Sequence, residues 1–193
     1  VMHWQTSRFS SDLSTPKVMG IVNVTPDSFS DGGAFATRDA ALAHCERLLE
    51  DGANLLDIGG ESTRPGATAL PVEDELERVL PVVRHAVTLG VPVSVDTYKP
   101  QVMQAVLDLG ADIINDIWAL RWRGDGGGSF GVDVISQHPQ CGVCLMHMHR
   151  NPQTMQLAPM EGDVVSQVLS FLEQVTQDLR GLGVEKARIC IDP

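Results

Sequence analysis

The chain has 193 residues, 43% hydrophobic and 20% charged, the balance of one globular domain with a sizeable core. Its formal net charge of −11 argues against nucleic acid, whose phosphates are held by basic patches. No apolar run reaches the roughly 20 residues of a membrane span, and the polar segment 1–16 lacks the apolar stretch of a signal peptide, so a cytoplasmic protein is expected.

Residues 1–16 read as an N-terminal extension and 17–193 as one domain. Lys17–Val22 predicts a strand, and Thr37–Gly52 a helix with Ala41, Cys45, Leu48 and Leu49 on one face. Asn54–Ile58 is the next strand. Val72–Gly90 follows as a helix with Glu73, Asp74 and Glu75 in its first turn, where the helix dipole favours negative charge. Pro81 predicts a kink or break within it. Val91–Val95 is a strand, and Lys99–Gly110 a helix with Thr97 as N-cap and Pro100 in the first turn. Asp112–Ile117 is a strand, then an irregular stretch runs to about Gly131. Val132–His138 is a short helix and Gly142–Met146 a strand. Glu161–Gly183 is a long helix with Val165, Val168, Leu172, Val175, Leu179 and Leu182 at helical spacing, and Ala187–Ile191 the last strand. Gly52, Gly90, Gly110 and Gly183 stand at helix C-termini, where a left-handed residue belongs.

Alternating strands and helices with nearly continuous apolar strands imply an α/β fold with a parallel sheet. Polar residues follow strand after strand: Asn23, Asp57 and Glu61, Asp96, Asn115 and Asp116, His147, and Asp192. An open doubly wound sheet gathers its site at one switch point, whereas a closed barrel brings every strand end to one mouth. Six such ends favour a TIM-type (β/α)8 barrel. That fold needs eight strands and about 250 residues, so six strands leave this barrel incomplete.

Asn23 precedes a loop of hydroxyls and carboxylates, Thr25, Asp27, Ser28, Ser30 and Asp31, with one aromatic, Phe29. It reads either as a polar turn or as a lid bringing oxygen ligands to magnesium and a phosphate. Asp57 reads as a braced buried carboxylate or as a ligand. Thr63 and Arg64 offer a hydroxyl and a guanidinium suited to an anion. Asp96, Asn115 and Asp192 end apolar strands, where an unpaired polar group is costly. A heterocycle with a 2-amino-4-oxopyrimidine edge would pair with such a carboxylate bidentately. Met146 and Met148 alternate with His147 and His149, so the two types face opposite ways, and Met146 can pack on a ring. Cys141 and Cys144 form a C-x-x-C on a strand rather than at a helix start, and all four cysteines are expected to be buried or half-buried free thiols.

Two stretches carry a resemblance: Gly20-Ile21-Val22-Asn23-Val24-Thr25-Pro26-Asp27-Ser28-Phe29-Ser30-Asp31-Gly32-Gly33 and Asp57-Ile58-Gly59-Gly60-Glu61-Ser62-Thr63-Arg64-Pro65-Gly66. Both resemble signatures of the dihydropteroate synthases, the folate-pathway enzymes inhibited by sulfonamides. Val93 to Thr97, Ile114 to Asp116, Leu145 to Met148 and Ile191 to Pro193 extend the likeness from about Lys17 to the end. The resemblance implies a transferase joining 6-hydroxymethyl-7,8-dihydropterin pyrophosphate to p-aminobenzoate, acting as a homodimer. It also implies roles: Asn23 for the Mg2+ ligand, and Asp96, Asn115 and Asp192 for the pterin edge. Met146 would pack on the ring face, and Thr63 and Arg64 would sit by the pyrophosphate and p-aminobenzoate. Phe29 and Pro65 would close that pocket. The segment Arg121 to Phe130 is longer and richer in glycine than the family leads one to expect. The alternatives are a methyltetrahydrofolate-binding methyltransferase, on a similar barrel, and a non-catalytic pterin-binding fragment.

Overall fold

The computed structural model describes residues 2–25, 33–62, 67–124, 128, 130–151, 154 and 159–193, with residues 33–36 described by their backbone alone. An antiparallel hairpin of β1 (His3–Gln5) and β2 (Ser10–Asp12) comes first. There follow β3 (Met19–Asn23), α1 (Gly33–Glu50), β4 (Leu55–Gly59), α2 (Val72–Ala86), β5 (Val93–Asp96) and α3 (Pro100–Asp108). The chain ends with β6 (Ile113–Asp116), α4 (Gly131–Gln137), β7 (Gly142–Met146), α5 (Val164–Gly181), a single 3₁₀ turn (Lys186–Arg188) and β8 (Ile189–Asp192). Strands β3 to β8 pair in chain order, every pair parallel. Sequential parallel pairing with a helix in each crossover is the arc of a (β/α)8 barrel, here six strands of it.

The two faces of the sheet bury different things. Val22, Leu56, Ile58, Val93, Val95, Ile114, Val143 and Leu145 pack outward against helix residues such as Val79, Val83, Met103, Val106 and Ile135. Leu55, Ile113 and Cys144 point the other way and cluster with Trp4 of the hairpin. The hairpin therefore plugs the interior near the strand starts. Trp4 Nε1 donates to the Arg188 carbonyl at 3.0 Å, and the Arg8 guanidinium pairs with the buried Asp112 carboxylate at 2.7 Å. Gly142 leaves room for this docking, because a Cβ there would meet Thr6 Cγ2 at 3.0 Å and Trp4 Nε1 at 3.2 Å.

All the expected strands and helices of the domain are present, and the four glycines that stop helices have φ between +76° and +104°. Four details differ. The N-terminal extension carries the hairpin His3–Asp12, which its polar composition hid. Helix α2 runs unbroken through Pro81, whose lost hydrogen bond frees a carbonyl at Glu77, on the exposed side of the helix. The N-cap of α3 is Lys99; buried Thr97 instead accepts the Lys99 amide at 3.3 Å and donates to Glu75. Finally, Leu172 and Leu179 of α5 are buried, but Val165 in its first turn and Leu182 just past its end are 68% and 57% exposed.

Candidate active site at the strand ends

Parallel register sets the site. Asn23, Gly59, Asp96 and Asn115 are successive partners across β3 to β6, and Cys144 and Cys190 continue the row on β7 and β8. Paired residues of a parallel sheet share a face, and this row faces inward with Leu55, Ile113 and Cys144. One level nearer the strand starts, Asp57 pairs with Ser94. One level nearer the mouth, Met146 pairs with Asp192. Asp96, Asn115, Met146, Asp192 and Asn23, all expected from the sequence, thus meet in one mouth. Gly59 keeps the floor open between Asn23 and Asp96: a Cβ there would come within 3.6 Å of Asp96 Oδ2.

Asp57 is a brace. It is buried, and it accepts the Ser94 hydroxyl on Oδ1 at 2.6 Å and the Asn115 amide on Oδ2 at 3.2 Å. With its NH2 committed to Asp57, Asn115 directs its carbonyl oxygen away from the brace. Burial raises the Asp57 carboxyl above its ordinary range, against the pull of these two donors. Asp96, beside them, has no such donors among the described residues. Burial first, then the carboxylates of Asp57, Asp116, Glu75 and Glu61, push it well above the ordinary range. A partner rich in N–H groups is what this carboxyl needs.

A buried ionic cluster lies behind it, which sequence reading missed. Lys99, 4% exposed, donates to Glu61 Oε2 and stands 3.6 Å from Oε1 of Glu75, which is 1% exposed. Glu75 also accepts the Thr97 hydroxyl at 3.0 Å. Glu61 accepts the Tyr98 hydroxyl at 2.6 Å and the Leu70 amide at 2.9 Å. Glu75 therefore does not serve the helix dipole alone, as its place in the first turn suggests; α2 turns it inward against the loop after β5. The one sequence signal is a lysine directly before Pro100, close behind Asp96.

Asp116 faces outward and does not join Asn115 in the mouth. Its carboxylate accepts the amides of Trp118 and Leu120, both at 2.8 Å, and braces a turn in which Ala119 and Leu120 hold positive φ. Burial lifts its carboxyl to about 7, against those donors. The turn presents Trp118 and Trp122, which meet the Tyr98 ring edge-on at 6.5 and 5.2 Å. The Gly-rich stretch thus begins against the site's own network, and its residues 125–127 and 129 lie outside the described residues. His147 points away from Met146, toward Phe171 of α5 at 5.1 Å, as the alternation requires. The four cysteines are free, three buried and Cys190 half-buried. Thr63, Arg64, Pro65 and Phe29 lie outside the described residues.

The profile of the family described as "Pterin binding enzyme" matches residues 19–193. The chain belongs to this family. Among relatives, the dihydropteroate synthase of Neisseria meningitidis serogroup B is 45% identical over 192 residues, which cover 98% of this chain and 65% of that protein. The structure is similar to that of Burkholderia cenocepacia dihydropteroate synthase complexed with 7,8-dihydropteroate, with a TM-score of 0.85, 47% identity, and coverage of 100% of this chain and 63% of the other. It is also similar to Yersinia pestis dihydropteroate synthase in a sulfonamide complex, with a TM-score of 0.88, 41% identity, and coverage of 100% and 68%. The chain thus spans about 65% of the length of the Neisseria relative. As a pterin-binding family member it carries the family's α/β barrel strands in order, with Asp96, Asn115 and Met146 at the mouth.

Proposed function

We propose that this chain carries the pterin site of a dihydropteroate synthase, which condenses 6-hydroxymethyl-7,8-dihydropterin pyrophosphate with p-aminobenzoate and releases pyrophosphate. The observation that carries the reading is the Asp96 carboxyl, which has no donor among the described residues, beside an Asn115 fixed by Asp57. The 2-amino and ring N–H groups of a pterin offer two parallel donors to such a carboxylate, and Asn115 offers its carbonyl. Met146 would cover the ring face and Asp192 a further edge. As the bond to pyrophosphate breaks, positive charge grows on the pterin methylene and spreads into the ring. The fixed negative charge of Asp96 stabilises that growing charge. The arylamine then attacks the electron-poor carbon directly, so the protein needs no nucleophile. Thr63, Arg64, Phe29 and Pro65 would enclose pyrophosphate and p-aminobenzoate.

Magnesium fits this site as a shared ligand. Asn23 ends β3 exposed at the mouth, and its carboxamide makes no hydrogen bond among the described residues. Those residues hold no cluster of three or more His, Cys, Asp or Glu that could bind a metal. One protein oxygen and several phosphate oxygens is a shell that magnesium accepts. When bound, it supplies charge neutralisation for the departing pyrophosphate. A cytoplasmic homodimer completes the reading; Val165 and Leu169 on α5 offer an apolar face to a second copy.

The test is competition. With pyrophosphate and a pterin present, p-aminobenzoate is expected to bind saturably and to be displaced by a sulfonamide. Saturable pterin binding that neither p-aminobenzoate nor a sulfonamide touches would point instead to a methyltetrahydrofolate-binding methyltransferase or a non-catalytic pterin binder.

A further inference from the structure

Cys144 and Cys190 are direct partners across β7 and β8, on the inward face and in the same row as Asp96 and Asn115. Paired residues on neighbouring parallel strands stand about 4.8 Å apart, inside the Cα separation of roughly 4.4–6.8 Å that a disulfide spans. Both thiols are free, and the Cys190 sulfur lies 4.0 Å from the Ile191 carbonyl. Spacing in the sequence points to another pair. Cys141, three residues before Cys144, lies instead against Arg188, whose guanidinium approaches its sulfur at 3.6 Å and donates to its carbonyl at 2.7 Å.

Cys190 is half-buried and lines a cavity of about 420 Å³ with polar and apolar neighbours, among them Trp4, Asp12, Lys17, Met19, Asn54 and Leu55. We propose that Cys144 and Cys190 form a thiol–disulfide site, which low-molecular-weight disulfides oxidise to a cross-strand bond. Cys144 beside it draws the Cys190 thiol down to about 7, while the pairing pushes the Cys144 thiol up. Half-buried where Cys144 is buried, Cys190 is the attacking sulfur. Its thiolate displaces one thiolate from the reagent's sulfur–sulfur bond and forms a mixed disulfide. Cys144 then loses its proton and displaces the second thiolate from Cys190. Each leaving thiolate takes up one of the two protons given up by the protein. Two protein thiols and one small disulfide become one protein disulfide and two small thiols. The new bond ties together the strands that carry Met146 and Asp192.

The 193-residue chain, folded by circular dichroism and without denaturant, is treated with the neutral reagent 2-hydroxyethyl disulfide. A neutral reagent avoids repulsion by the net charge of −11. The expected product has lost two of its four thiols, weighs two hydrogen atoms less, and yields on digestion a peptide joining Cys144 to Cys190. Reductant should reverse it. Cys141→Ser should give the same link and Cys190→Ser none. Persistent mixed disulfides without a link, a link through Cys45 or Cys141, or a link formed only in urea would each overturn the proposal.

Discussion

Asp96→Asn is expected to weaken pterin binding and to cut turnover while leaving the protein at least as stable. Asparagine keeps the shape but turns one oxygen into a donor facing the pterin's donors. Losing a charge-assisted pair costs about 2–3 kcal/mol, roughly 30- to 200-fold in Kd, and turnover falls further because the charge that stabilises the ring cation is gone. Stability should move the other way, and the sign follows from linkage. Burial and four neighbouring carboxylates raise the folded Asp96 carboxyl above its unfolded value. Its contribution is fully present below the unfolded value, about pH 3.9, and is lost as pH rises through the folded one. At neutral pH the ionised side chain is a burden, which asparagine removes. Pterin binding should likewise expel a proton, because the bound edge favours the carboxylate. Calorimetry in buffers of different ionisation enthalpy, on both proteins, reads all of this. Equal pterin affinity in parent and variant would remove Asp96 from the site.

Lys99→Met is expected to destabilise the fold by about 3–5 kcal/mol, the cost of breaking a buried ion pair by removing one partner. Methionine fills the volume but leaves Glu61 and Glu75 facing each other without the cation between them. Glu75 is the more exposed to this change in energetic terms. Burial already raises its carboxyl, and Lys99 is the main influence holding it down. Without Lys99 its folded value climbs further, so the loss in stability should be small in acid and grow as pH rises toward neutrality. Adding Glu75→Gln should recover part of the loss, since a neutral amide needs no counter-charge. Urea melts at two pH values, on the single and double variants, give the comparison. A pH-independent loss of under about 1 kcal/mol, the size of an exposed pair, would show that the cluster is solvated.

The parts of this protein legible in the sequence are those that short stretches encode by themselves. An apolar run such as Val91–Val95 followed by Asp96 reads as a buried parallel strand with a polar end, and the structure puts Asp96 at that end. Glycines at 52, 90, 110 and 183 stop their helices because a left-handed residue is a local demand. The illegible parts depend on which strand lies beside which. Asp57 and Asp96 read alike, but only register places Ser94 and Asn115 around the first and leaves the second without donors among the described residues. Asn115 and Asp116 read as a pair, yet strand alternation sends one into the mouth and the other outward to brace the Trp118 turn. Glu75 on α2 and Lys99 after β5 share no periodicity. Trp4 sits in a polar segment and is buried only because the hairpin sets it against Leu55, Ile113 and Cys144 of three strands, with its indole N–H on the Arg188 carbonyl.

The measurement closest to the centre of this account is pyrophosphate release by the 193-residue chain, given dihydropterin pyrophosphate and magnesium, with and without p-aminobenzoate. Release is expected to depend on p-aminobenzoate and to fall sharply in Asp96→Asn. Release indifferent to p-aminobenzoate, or a folded chain that binds the pterin and releases nothing, would contradict that expectation.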